Sequence, residues 1–386
     1  MKKLLFAATL CLMTLVAQAQ TTNQNPYYSF IQQQITSPFD YVTQKIRQYN
    51  VVSLGEDHWI KDHMEFLTSY LDYIAADTTF HIDVLAWESG NSIDQQTADS
   101  LMMAQTFRED LALKVLRDAP ETYGWPYKEA VDVIKALWRY NRKQQKFTRL
   151  LLLDPPYMMQ LLDGEKYTYT LSRDQSTANK IASYIGQNKK VLFYAGASHT
   201  GRQFHAVYNP KSGMYHVQAT AGKILSTLYP RLVFSIKLWG GLMGSNGYIP
   251  ANDEYKWERC GDGLADEAFR DNGNRPIAFD IADSPFASLK VSDFFHFNYS
   301  EQMLSTTNGS PFYETETMGE RIDGIVFFRP VNEFSIPHLE PKMFDDAFVE
   351  RISKRTNGEV KTKNDVFQYI KKGHPTLAEE TDKYIE

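Results

Sequence analysis

Four apolar runs in this chain stop on residues that carry charge or protons. Residues 51–54 run into Gly55-Glu56-Asp57-His58, and 84–87 into Glu88-Ser89-Gly90. Residues 150–153 run into Asp154-Pro155-Pro156, and 191–195 into Gly196-Ala197-Ser198-His199. An imidazole takes or gives a proton near pH 7, and a neighbouring carboxylate can orient it or hold a water. The spacing Gly-x-x-His occurs twice, each time where a strand should end; glycine frees the backbone and a histidine follows three residues later. Ordinary loops also make strand ends polar, so each residue alone fits either reading. Their combination favours one shared crevice holding His58, Glu56, Glu88 and His199.

Other residues carry less chemistry. Asp154 is either a ligand or the cap of its own turn. Arg202 could hold an anion or a carboxylate in its fork, or stand in solvent. Ser198 lies in Gly-Ala-Ser-His-Thr, which misses the nucleophile elbow because Thr200 stands where glycine is needed. His63 follows His58 by five residues, off the i, i+4 spacing, and reads as a helix-surface residue. His81, His205, His216, His296, His338 and His374 have no motif context and read as structural.

The elements that would position these side chains alternate. Helices are expected over 39–48, 62–75, most of 94–119, from Pro126 through Trp138, 177–188 and 364–370. Strands are expected at 51–54, 84–87, 150–153, 191–195, 232–236 and 325–328. Strands alternating with helices predict an α/β class with a largely parallel or mixed central sheet flanked by helices. Wholly apolar strands predict burial on both faces. Ligands of such sheets bind beyond the carboxyl ends of the strands, where all four motifs fall. Residues 240–273, rich in Gly, Asn and Asp, read as a long loop or lid within a loop-rich insertion near 240–320. A single domain over 20–386 is expected.

Residues 1–19 carry two lysines, a short apolar run and Ala17-Gln18-Ala19, the pattern of a secretory signal peptide cut near Ala19. Export to the periplasm or beyond is expected. The formal charge is −6, and losing Lys2 and Lys3 with that leader makes it −8. With no basic stripe, nucleic acid is not an expected partner. No second long apolar stretch predicts a membrane span. One cysteine, Cys260, would remain, so no intrachain disulfide could form.

The chain resembles the erythromycin esterase family, within a wider EreA/ChaN-like group that includes ChaN-like haem-binding lipoproteins and TIKI/TraB-type proteins. Leu54-Gly55-Glu56-Asp57-His58 is similar to the family's L-G-E-x-x-H, and Leu85-Ala86-Trp87-Glu88 to its strand ending in glutamate. Trp125 through Glu129 to Trp138-Arg139-Tyr140-Asn141, then the strand ending at Asp154, is similar to its helix and third strand. Tyr194 through Arg202 is similar to its second histidine strand, and Arg321-Ile322-Asp323-Gly324-Ile325-Val326, more weakly, to a late strand. The family has H-G-T where this chain has His58-Trp59-Ile60, and the Gly-x-x-His form is closer to the TIKI/TraB branch.

The resemblance implies hydrolysis of an ester or lactone of a small-molecule substrate, with water as nucleophile. His58 would be the general base. Glu56 or Glu88 would orient it or place the water, and His199 would steady the oxyanion or protonate the leaving group. Arg202 and Asp154 would contact substrate. The esterase branch implies no cofactor. The TIKI-like branch implies a divalent metal and a peptidase, for which two histidines and a carboxylate are a workable ligand set. The ChaN branch implies a binder of haem or iron.

Overall fold

The computed structural model describes residues 25–164, 171–209, 214–240, 260–295, 315–374 and 377–385. The expected leader therefore lies outside the described residues, as do parts of the 240–320 insertion. Among the described residues nine strands form: β1 Val51–Glu56, β2 Val84–Asn91, β3 Arg149–Asp154, β4 Val191–Gly196, β5 Phe204–Asn209, β6 Met214–Ala219, β7 Val233–Leu238, β8 Ile277–Asp280 and β9 Gly324–Phe327. Seven make one sheet in the order β3-β2-β4-β1-β7-β9-β8, parallel except for β8, which runs against β9; β5 and β6 pair as a separate hairpin. The α/β architecture is the one the alternation predicts.

Burial on both faces explains the apolar strands. Val52, Leu54, Leu85, Trp87, Leu192 and Tyr194 point into one core layer, shared with Leu67 and Tyr70 of the helix Lys61–Ile74 and Leu137 of the helix Lys128–Gln144. Val51, Val84, Ala86, Val191 and Phe193 point into the opposite layer, against Ile181 of the helix Arg173–Ile185 and Leu225 of the helix Ala221–Leu228. A third cluster sits on the β8–β9 end of the sheet, where Phe269 stacks on Phe327 at 3.8 Å.

Both margins of the sheet are closed by the chain itself. At β3 the Gln95 side chain donates to the Leu150 carbonyl (2.8 Å) and accepts from Leu152 N–H (2.9 Å), standing in for a neighbouring strand. At β8 the Ala278 N–H donates to the Thr36 carbonyl (3.0 Å).

The structure departs from the expected elements in several places. Residues 94–119 hold two helices, Gln95–Met103 and Glu109–Arg117, because the Trp138 indole takes the Ala104 carbonyl at 2.9 Å and the chain leaves the helix there. Within 240–273, residues 241–259 lie outside the described residues, but Leu264–Asp271 is a helix whose Phe269 is buried in the core, not part of a lid. The β5–β6 hairpin and the short β8 have no counterpart among the expected strands.

The helix Ala221–Leu228 packs against the turn after β4 with no room to spare. A Cβ on Gly222 would stand 2.1 Å from the Thr200 carbonyl oxygen and 2.7 Å from that of Gly201, both backbone atoms. Gly222→Ala should therefore lower stability by about 1–3 kcal/mol, the usual cost of overpacking. Urea unfolding would measure it, and an unchanged midpoint would mean that the helix slides freely.

Candidate active site

The carboxyl ends of β1, β2, β3 and β4 lie on one edge, and the two faces of the sheet contribute different groups to it. Glu56 follows Leu54 on one face. Glu88 follows Trp87 and emerges on the other. Glu56 Oε1 is hydrogen-bonded to His58 Nδ1, and Glu56 is buried while His58 is about one-third exposed. The His58 ring lies over Gly196. A Cβ there would stand 3.2 Å from His58 Cε1 and 3.4 Å from both His58 Nε2 and Glu88 Oε2, a tight fit that glycine relieves. Glu88 Oε2 accepts the Gly196 N–H at 2.6 Å.

His199 sits one turn beyond β4, in the short helix Ala197–Thr200. Its Nδ1 is 2.9 Å from Asp174 Oδ1, and its Nε2 is 3.3 Å from Glu88 Oε1. Each histidine thus has a carboxylate on Nδ1, with Glu88 beside the remaining nitrogen or its ring. Asp174 and its neighbour Arg173 open the helix Arg173–Ile185, which starts with a Ser172/Gln175 capping box. A helix joining two parallel strands runs back against them, so its first turn stands at the strands' carboxyl edge. Arg173 fills the space between the acids. It is 2.8 Å from Glu88 Oε1, bonds both Asp154 oxygens at 2.5 and 3.1 Å, and lies 3.2 Å from His199 Nε2.

Charge sets the proton affinities. Glu56, Glu88, Asp154 and Asp174 face Arg173 and two imidazoles, so the group carries −1 with both imidazoles protonated and −3 with neither. Burial opposes a charge on His58, but Glu56, their hydrogen bond and Glu88 prevail and raise its pKa to about 9. Burial also opposes a charge on His199, yet Glu88 and Asp174 raise it above the ordinary histidine value. Burial would raise Glu88, while His199, Arg173, His58 and the Gly196 N–H hold it well below the usual carboxylate range. For Asp154 burial outweighs Arg173 and the pKa rises. Glu121, in the turn after the helix Glu109–Arg117, faces the same charges: its partial withdrawal from water raises it, against His58 and Arg173.

An aromatic wall backs His58. Trp125 meets its ring at 5.2 Å and Trp59 at 5.7 Å, both edge to face. Trp59 has φ 63°, a left-handed conformation that costs a bulky residue roughly 1–2 kcal/mol. Strain of this kind gathers at functional sites.

The structure brings together Glu56, His58, Glu88, His199 and Asp154, the last as the buried partner of Arg173. It does not bring Arg202 to them. That guanidinium is hydrogen-bonded to Asp323 and to the carbonyls of Gly319 (2.7 Å), Glu320 (3.2 Å) and Ile322 (2.9 Å), so its donors clamp the chain instead of facing a substrate. His63 is fully buried, not on a helix surface: its Nδ1 accepts the Asp57 N–H and its Nε2 lies 3.0 Å from the Trp239 carbonyl, which makes it a neutral strut. Asp57 itself pairs with buried Lys237 at 2.6 Å. The site residues missing from the sequence reading are Arg173, Asp174, Glu121 and the wall residue Trp59; the Ser172-x-x-Gln175 box was the signal for the first two.

A metal does not fit this donor set. Arg173 holds the position between Asp154, Glu88 and His199, and among the described residues no three His, Cys, Asp or Glu side chains are arranged to hold an ion. A cavity of about 370 Å³ lies elsewhere, between Phe39, Phe66 and Phe328, and none of the strand-end residues lines it.

No family model and no curated protein matches the chain. Solved structures similar to it include a succinoglycan biosynthesis protein, 11% identical over 82% of this chain and 98% of that one, with a TM-score of 0.49. An erythromycin esterase mutant in its open conformation is 10% identical over 78% and 95%, with a TM-score of 0.48. Haem-binding ChaN of Campylobacter jejuni is 12% identical over 52% and 85%, with a TM-score of 0.33. Two of these neighbours are proteins of the kinds named in the sequence resemblance. Likenesses this distant concern the course of the chain and not its chemistry.

Glu56→Gln should lower the His58 midpoint from about 9 toward 6.5, since it removes the main charge holding that proton. A histidine-resolved NMR titration reads this directly, and an unmoved midpoint would remove Glu56 as the cause. The same shift links to stability. The folded chain holds the His58 proton more tightly than the unfolded chain, so this stabilisation is full below pH 6.5 and is lost as pH rises through about 9. The urea midpoint should fall across that window in the native chain and fall less in His58→Gln.

Proposed function

We propose that the chain is a hydrolase that directs water onto an ester or lactone carbonyl of a small molecule. The arrangement of two carboxylate-backed histidines around Glu88 carries this reading. In its free-base form His58 takes a proton from a water held at Nε2. Glu56, on Nδ1, fixes the ring and stabilises the imidazolium that forms. Glu88, kept ionised by its neighbours, accepts the water's other hydrogen and aims it. His199, its second proton favoured by Glu88 and Asp174, offers that proton to the carbonyl oxygen as charge develops and then to the leaving alkoxide. Arg173 keeps Glu88 and His199 in place and adds positive charge beside the oxyanion.

The same charges disfavour the haem reading, since propionates would face Glu56, Glu88 and Glu121. Export with removal of residues 1–19 is part of the proposal and is supported by the leader pattern alone.

A raised His58 has a kinetic signature. The base form is scarce at pH 7, so kcat/KM for a reactive aryl ester should climb about tenfold per pH unit and level off near pH 9. His58→Ala should cost about two to four orders of magnitude in kcat while circular dichroism stays unchanged. Full activity in that folded variant would end the proposal.

A further inference from the structure

Tyr194 is the residue of β4 that the mechanism leaves idle. It is 2% exposed, and its hydroxyl has no hydrogen-bond partner among the described residues. Burial and the charges of Glu56, Asp57 and Glu88 push its pKa well above the ordinary phenol value, so it remains an O–H donor at every working pH. A buried donor without an acceptor costs about 1–3 kcal/mol, yet this one stands among three groups that only accept.

Register decides which of them it serves. Tyr194 is paired with Leu54 across β1 and β4, and Glu56 with Gly196. Tyr194 and Glu56 therefore emerge on the same face of neighbouring strands, two residues apart along them. Glu88 follows Trp87, the partner of Tyr194 on the other side, and leaves the sheet on the opposite face. Asp57 lies beyond the strand and is committed to Lys237. Glu56 Oε1 holds His58, and its second oxygen is the carboxylate atom not used in that bond.

We propose that Tyr194 is a positioning residue for the Glu56–His58 pair: its hydroxyl donates to a buried water that donates in turn to the second oxygen of Glu56. Glu56 is then held from two sides, by the phenol beneath and the imidazole above. The donor draws charge away from the oxygen facing His58 and so moderates how tightly that proton is kept. This acts on the pair used in the proposed function, but its test needs no turnover, so an absence of esterase activity would leave it standing.

Tyr194→Phe keeps the ring and removes only the donor. The NMR midpoint of His58 should rise by about half a pH unit, a share of what one hydrogen bond to a charged group is worth. In a Glu56→Gln background the same substitution should leave His58 unmoved, because the relay is gone. A slowly exchanging Tyr194 hydroxyl proton, with a contact to the Glu56 side chain in the native protein, is expected whether or not the variant folds well. An unchanged His58 midpoint in folded Tyr194→Phe, an equal shift in both backgrounds, or a hydroxyl contact to Glu88 and not Glu56 would overturn the assignment.

Discussion

Two buried carboxylates on adjacent strands would repel each other and resist burial unless a cation lay between them. Glu88 lies within β2 and Asp154 ends β3, and Arg173 is that cation. The rest of the site depends on this contact. With His199, Arg173 and His58 around it, Glu88 keeps its charge, and the charge of Glu88 in turn raises both histidines. Asp174, next along the same helix turn, holds His199 and also caps the N–H of Ala221 at 2.8 Å. One helix start therefore fixes the acid between the two strands and the ring beyond a third.

The sheet supplies the site from both sides. Glu56 and His58 come over the rim from one core layer, while Glu88, Asp154, Arg173 and His199 belong to the other. They meet over Gly196, whose missing side chain leaves room between them. The segment bearing His199 is pinned from far along the chain, where Arg202 grips 319–323 just ahead of β9. A residue that looks free to take a substrate is spent on holding the floor.

Much of this was legible in the sequence. Strands buried on both faces must be apolar throughout, so β1 to β4 show themselves, and their polar ends mark the edge where ligands bind. Apolar periodicity, however, starts the helix before β4 at Thr177, because Arg173 and Asp174 face the site and not the core. The capping residues Ser172 and Gln175 mark the true start. The partners of Arg202 lie more than a hundred residues away, and no local pattern announces them. The burial of His63 depends on Trp239, on another strand end, and is equally non-local.

The borrowed pairing at the sheet margin has a consequence outside chemistry. A bare outer strand invites the same strand of another copy, and stacked copies become fibres. Gln95 occupies two of the groups on β3 that such a recruit would need, and the Thr36 carbonyl takes one N–H at β8. At these positions a side chain and a backbone carbonyl have taken the place of neighbours, which makes the two margins of the seven-stranded sheet poorer templates along which copies could zip together.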